Sequence, residues 1–323
     1  MLRLISKNFL ALLASILVFL YAFFISLYLL SAYVAGDQYH YRIFYEALGN
    51  SEVKDLLTLL RRYLSAGEPM SGLVLWIGAN LGINKDIYIA LLNSLLFLGM
   101  FAFCVKQRVN AFFFILLSFN FYVFVLFTGA ERLKIAFLFL IYAAYSKGWV
   151  SKVLLVLSVF SHFQTAIILV GTMFNRARSV VLDSLTRLKI NKKDFVFIIL
   201  LIIIFFGLLI NFGSIIIGKI EGYSKLSGGL LELTQLFLLS LVSVVVLKSK
   251  AEFFSYLLPI VFASIVVGSS RFNILAFFIL LFFVAKQDKT SHPLILILMF
   301  YFSFKSFDFL NNILSYGDGF YIK

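Results

Sequence analysis

Apolar residues run almost without interruption through long blocks of this chain and stop at a few short polar stations. The continuous blocks cover residues 9–35, 87–105, 110–128, 131–146, 194–213, 230–247, 252–268, 271–285 and 293–309. Runs of this length without strand-like alternation predict membrane-spanning helices, not barrel strands. Two blocks fit less simply. Residues 70–83 are apolar but short, about 20 Å as a helix against a hydrocarbon core of about 30 Å. Residues 150–174 are long enough, but Ser161-His162-Phe163-Gln164 interrupts them.

Composition agrees with that pattern. Of 323 residues, 62% are hydrophobic and 13% charged, with 40 Phe and only 3 Pro, a balance outside the range of soluble domains. The expected fold is an all-α polytopic integral membrane protein. It has about nine full transmembrane helices plus short re-entrant or interfacial helices, in a single transmembrane domain over residues 1–323. Arg3 and Lys7 precede an apolar run too long for a cleaved signal, so that run is expected to be an uncleaved first span.

The formal charge of +13 would suggest nucleic acid in a soluble protein. In a membrane protein it points instead to basic loops that orient the spans, so no nucleic-acid partner is expected. The loop 175–193, with Arg176, Arg178, Arg187, Lys189, Lys192 and Lys193 against Asp183, is expected on the cytoplasmic side. Lys147 and Lys152 make the preceding turn basic too. Both turns face the cytoplasm if 150–174 dips in and returns, with His162 at the hairpin tip. The expected topology has the N-terminus inside, the C-terminus outside, and loops 36–68 and 214–229 on the outer face. Cys104 is the single cysteine, and His40, His162 and His292 lack zinc-ligand spacing, so no metal or other cofactor is expected.

The stations could carry chemistry. Thr128-Gly-Ala-Glu-Arg-Leu-Lys134 sets three charges at the junction of two apolar runs. Glu131 and Lys134 are three apart and can pair on a helix. Arg132 then points elsewhere without a local acid. It suits either a lipid headgroup or a bound phosphate, which a guanidinium grips through two parallel hydrogen bonds. Asp37, beside Tyr39 and Tyr41, fits a helix cap, a general base or a glycan ligand. Glu68 before Pro69 fits a cap at a helix start, or a fixed acid. His162, flanked by Gln164, is an ionisable group in an apolar setting, as structural residue or as catalyst. Arg271 follows the small residues Gly268-Ser-Ser270 and is a second candidate for an anion. No P-loop, dinucleotide fingerprint or nucleophile elbow occurs.

Taken in order, these stations resemble the EpsG/Wzy-like family of bacterial polysaccharide polymerases, which join O-antigen, capsule or exopolysaccharide repeat units. The matching pieces are Gly36-Asp37 with its tyrosines, Glu68-Pro69, Arg132 followed by Ile135-Ala136, His162 in Ser-His-Phe-Gln, and Arg271-Phe272. The set covers about residues 30–285. Family members often carry Arg-Gln where this chain has Arg132-Leu133, and His-x-Ser where Gln164 stands here. The resemblance implies a metal-independent, inverting glycosyltransferase in the bacterial inner membrane, with its active site facing the periplasm or outside. Donor and acceptor would be oligosaccharide repeat units on undecaprenyl diphosphate. Arg132 and Arg271 would bind the donor diphosphate. Asp37, Glu68 and His162 would be the candidate bases, and Tyr39, Tyr41 and Gln164 would touch glycan. A flippase and a chain-length regulator are the implied protein partners, and membrane lipid surrounds the spans. A lipid-linked oligosaccharide transporter and an acyltransferase decorating surface glycan are the alternative functions.

Overall fold

The computed structural model describes residues 2–187, 230–267 and 270–321, with side chains over 9–182, 233–264 and 272–321. Among the described residues the chain is all-helical. The helices are α1 (Leu2–Ala32), α2 (Gly36–Leu48), α3 (Leu56–Leu64), α4 (Pro69–Asn80), α5 (Lys85–Lys106), α6 (Ala111–Ser118) and α7 (Phe121–Thr128). They continue as α8 (Glu131–Tyr145), α9 (Gly148–Ser161), α10 (Ala166–Arg187), α11 (Leu230–Val246), α12 (Lys250–Val267), α13 (Ser270–Lys286) and α14 (Pro293–Tyr316). The chain forms two compact units, one of Met1–Thr165 with Thr290–Lys323, the other of Ala166–Lys289.

In the first unit the helices share one direction-setting logic. The middles of α1 and α5 meet where the Tyr21 and Phe97 rings pack 5.9 Å apart. At the C-terminal end of α1, Arg42 donates to the Leu30 carbonyl and pairs at 3.0 Å with Asp86 in the first turn of α5. α5 therefore runs back against α1. α6 and α7 rise alongside α14. Asn110 bonds Ser291 at one end, Ser303 donates to the Leu116 carbonyl midway, and the Phe121 and Phe309 rings meet further on. α8 descends beside α5, bringing Tyr145 under the Lys106 ammonium. α9 returns, with Ser151 bonded to the Ala143 carbonyl. One end of the unit thus gathers α2, α3, α4, the start of α5, the junction of α7 and α8, and the end of α9. The opposite end carries Lys106, Arg108 and Lys147.

Side-chain caps explain several breaks. Asn84, Asn110 and Asn120 each accept a backbone N–H at the start of α5, α6 and α7. Asn120 splits the expected span 110–128 into two helices bent by 47°. The short block 70–83 is the helix α4, begun by Pro69 and held close to its neighbours by two glycines. A methyl group on Gly72 would lie 2.6 Å from Leu60 Cδ1, and one on Gly78 would lie 2.5 Å from Tyr88 Cδ1. Loop 36–68 is itself largely helical. Leu48, Leu56, Leu60, Leu75 and Ile89 form a common apolar core under it.

In the second unit α10 packs on α12, with Gly171 against the Tyr256 ring, and α11 and α12 both pack on α13. Asn273 donates to Gln235 at 3.0 Å, Gln287 bonds Ser249, and Phe253 meets Phe283 edge to face.

Among the described residues four helices are long and apolar enough to cross a bilayer: Phe9–Ala32, Lys85–Lys106, Phe163–Leu182 and Pro293–Tyr316. The bent α6–α7 pair makes a fifth if it crosses as one. The chain is accordingly a helical membrane protein. The expected blocks 131–146, 230–247, 252–268 and 271–285 are helices as well, and 194–213 lies outside the described residues. The sequence reading ended the apolar segment at 174, but α10 continues to Arg187. The first part of the basic loop 175–193 is therefore helix. The rest of that loop and loop 214–229 are outside the described residues. The Lys305 ammonium sits over the Phe121 ring, 4.5 Å from its centroid.

Candidate functional site

The junction of α7 and α8 builds the site. α7 ends at Thr128, Gly129 and Ala130 turn the chain, and Glu131 and Arg132 open α8. Adjacent residues on a helix point about 100° apart. They therefore enter two different clusters.

Glu131 points inward and is fully buried. Lys134 pairs with it at 2.9 Å, as the spacing predicted, and also donates to the Phe127 carbonyl at 3.0 Å. Two further members were not foreseen. Gln38 donates to Glu131 Oε1 at 2.7 Å and to the Thr128 carbonyl, while its own Oε1 accepts from Lys85. Lys85 Nζ stands 3.6 Å from Glu131. Gln38 and Lys85 sit at the starts of α2 and α5, so this buried network ties three helix ends together. Neither was singled out in the sequence. The signal was that Glu131 lies within an apolar context and needs more than one partner once buried.

Arg132 points the other way. Its Nη1 pairs with Glu68 Oε2 at 2.6 Å and its Nε donates to the Tyr41 hydroxyl at 3.1 Å. Local reading left Arg132 without an acid. The acid comes from Glu68, 64 residues earlier in the chain. Among the described residues the Nη2 nitrogen has no hydrogen-bond partner, and the side chain is partly exposed. Glu68 ends the extended segment before α4, at the position expected for a cap, but its side chain makes no bond to the helix behind it. Its Oε2 accepts from the Gly67 amide, and its Oε1 lies 3.4 Å from His162 Nδ1.

His162 follows the last turn of α9 in extended backbone, and a short 3₁₀ turn at Phe163–Thr165 comes next. The expected break in 150–174 is therefore present. The ring is buried, Nε2 meets Gln164 Oε1 at 2.9 Å, and Nδ1 has no hydrogen bond. Burial would raise the Glu68 carboxyl, but the His162 contact and the Arg132 guanidinium outweigh it and hold the carboxyl down to about 2.

Of the residues singled out in the sequence, Tyr41, Glu68, Arg132, His162 and Gln164 thus meet in one cluster. Asp37 lies on the exposed first turn of α2, close enough to Tyr41 to act on it electrostatically. Tyr39 is exposed, its ring packed edge-on against His40. Arg271 belongs to the second unit, and its side chain lies outside the described residues.

The cluster offers an anion grip with Nη2 unengaged, a carboxylate too acidic to serve as a strong base, and an imidazole backed by that carboxylate. A carboxylate behind a histidine orients the ring and stabilises the imidazolium formed when the ring takes up a proton. Comparison with family models, with curated proteins and with solved structures finds no match to this chain.

Proposed function

We propose that this protein is a polysaccharide polymerase of the EpsG/Wzy-like kind, which joins undecaprenyl-diphosphate-linked repeat units by inverting glycosyl transfer. The observation that carries the reading is the half-engaged guanidinium of Arg132, set beside Glu68 and His162 at the end of the unit away from Lys106, Arg108 and Lys147. In such a transfer the leaving diphosphate gathers negative charge, and a fixed guanidinium stabilises it without reorganising. Arg132 takes that role. His162 takes up the proton of the attacking hydroxyl, and Glu68, beside its Nδ1, steadies the resulting imidazolium. Asp37, on the exposed turn, is the alternative base, and Tyr41 fixes Arg132 from behind. Arg271 is a separate, sequence-derived candidate for the same anion. On this reading the site faces outward across the bacterial inner membrane, away from the basic loops.

The test is a deletion strain complemented with variants that still insert. Arg132→Ala should abolish chain extension and leave single lipid-linked repeats to accumulate. Arg132→Lys should also fail, because an ammonium has no second parallel donor. Long polymer in the Arg132→Ala strain would reject the assignment. Arg271→Ala is scored in the same assay.

A further inference from the structure

The Arg132–Glu68 pair has a property that a static anchor does not need. Glu68 holds Nη1 and Tyr41 holds Nε, so among the described residues only Nη2 of the guanidinium is without a partner. The carboxylate also has a second partner within reach. Oε1 is 3.4 Å from His162 Nδ1, a buried nitrogen with no hydrogen bond of its own. A buried polar atom without a partner carries a cost that a new hydrogen bond removes. The side chain of Glu68 therefore stands between two sites, bonded to one and close to the other.

From this geometry we infer that Glu68 is a resident anion, which holds Arg132 until a diphosphate-bearing lipid displaces it and which then turns to His162. The inference rests on the reading of Arg132 as a diphosphate ligand and adds how that site is held when empty. A diphosphate carries more charge than a carboxylate and can engage both outer nitrogens of the guanidinium in parallel. As it binds, Glu68 loses its principal cation, and its nearest remaining donor is a protonated Nδ1. Occupation of the anion site thereby strengthens the carboxylate behind the histidine. The acceptor hydroxyl meets a fully supported base only after the donor has arrived. The only step invoked beyond displacement is transfer of the hydroxyl proton to His162.

Binding to purified, detergent-solubilised protein tests this without relying on turnover. The probes are inorganic pyrophosphate and undecaprenyl diphosphate. Glu68→Gln keeps the shape and removes the competing charge, so it should bind undecaprenyl diphosphate about tenfold more tightly than the unaltered protein, while losing chain extension. Glu68→Asp retains the charge and should bind as weakly as the unaltered protein. His162→Ala should weaken binding severalfold by removing the place to which the carboxylate turns, and should have no effect when combined with Glu68→Gln. Each variant is first required to melt cooperatively. Equal affinity of Glu68→Gln and the unaltered protein overturns the displacement while leaving Arg132 as an anion ligand. So does equal tightening by Asp and by Gln. Tightening for pyrophosphate alone overturns the lipid-linked ligand in favour of a free anion. Unchanged binding in Arg132→Ala overturns the reading of Arg132 itself, and this inference with it.

Discussion

Glu131 and Arg132 are neighbours in sequence and have opposite fates. Glu131 is buried between two lysines, and its loss would leave Lys134 buried without a counter-ion and Lys85 with only Asp86, 4.0 Å away. Glu131→Gln should therefore lower stability by about 3–5 kcal/mol, read as an unfolding midpoint in detergent, whereas the paired replacement Glu131→Leu with Lys134→Met should cost much less. The Glu68 side of the pair has a definite acid dependence. Its folded carboxyl is held at about 2 against an ordinary 4.5. A depressed carboxyl contributes stability above its unfolded value and loses it as pH falls toward its folded value. The difference in melting temperature between the unaltered protein and Glu68→Gln should stay constant from pH 8 to pH 5, then shrink below about 4.5. A difference that grew on acidification would contradict the pairing. These residues were legible to different degrees. Arg132, Glu68 and His162 stood out because charge in an apolar context is costly. That Glu68 and not a ligand neutralises Arg132 was not legible, since the pairing spans three helices and rests on tertiary packing.

Among the elements, α4 does the most to place the site, because Glu68 is attached to its first turn. Its glycines let it lie against Leu56 and Leu60 on one side and Tyr45 and Tyr88 on the other. Gly78→Ala would set a methyl group 2.6 Å from the Tyr45 hydroxyl and still nearer the Tyr88 ring. Such overpacking should cost about 1–3 kcal/mol in unfolding stability, and chain extension should fall with it as Glu68 moves away from Arg132. The sequence showed α4 as a short apolar block and Pro69 as its start. It did not show that the helix caps the bundle end, because its apolar residues surround it on all sides and no face declares itself. The long helices α1, α5 and α14 were readable from length alone. The bend between α6 and α7 was readable only through Asn120, a helix-capping residue inside an otherwise unbroken apolar run. The extension of α10 was hidden by its arginines, which suggest loop by charge. At the level of elements, then, hydrophobic length located the helices, and their ends were set by single capping residues.

At the scale of the molecule, the first unit separates a cluster-bearing end from a basic one. Single cysteines at Tyr39 and Lys147, in a protein whose own Cys104 is replaced by Ala, should react with an impermeant thiol reagent from opposite sides of the membrane. Reaction of both from one side would reject the antiparallel course of α1, α5, α8 and α9. The closing helix has a part in this arrangement that bears on how the protein is made. The carbonyl of Gly317 accepts from the amides of Val34 and Ala35, and Asp318 accepts from the Tyr33 hydroxyl and fills the space beside Gly36. The entry into α2, which carries Asp37, Gln38 and Tyr41, is thus fastened by residues synthesised almost 300 positions later. Spans that emerge early from the ribosome can insert and pair, and Gln38 and Arg42 can bond their partners, but the turn at Val34–Gly36 lacks its bonds to Gly317 and Asp318 until α14 is in place. A nascent chain arrested before α14 should be stably inserted, yet open to protease around Ala35.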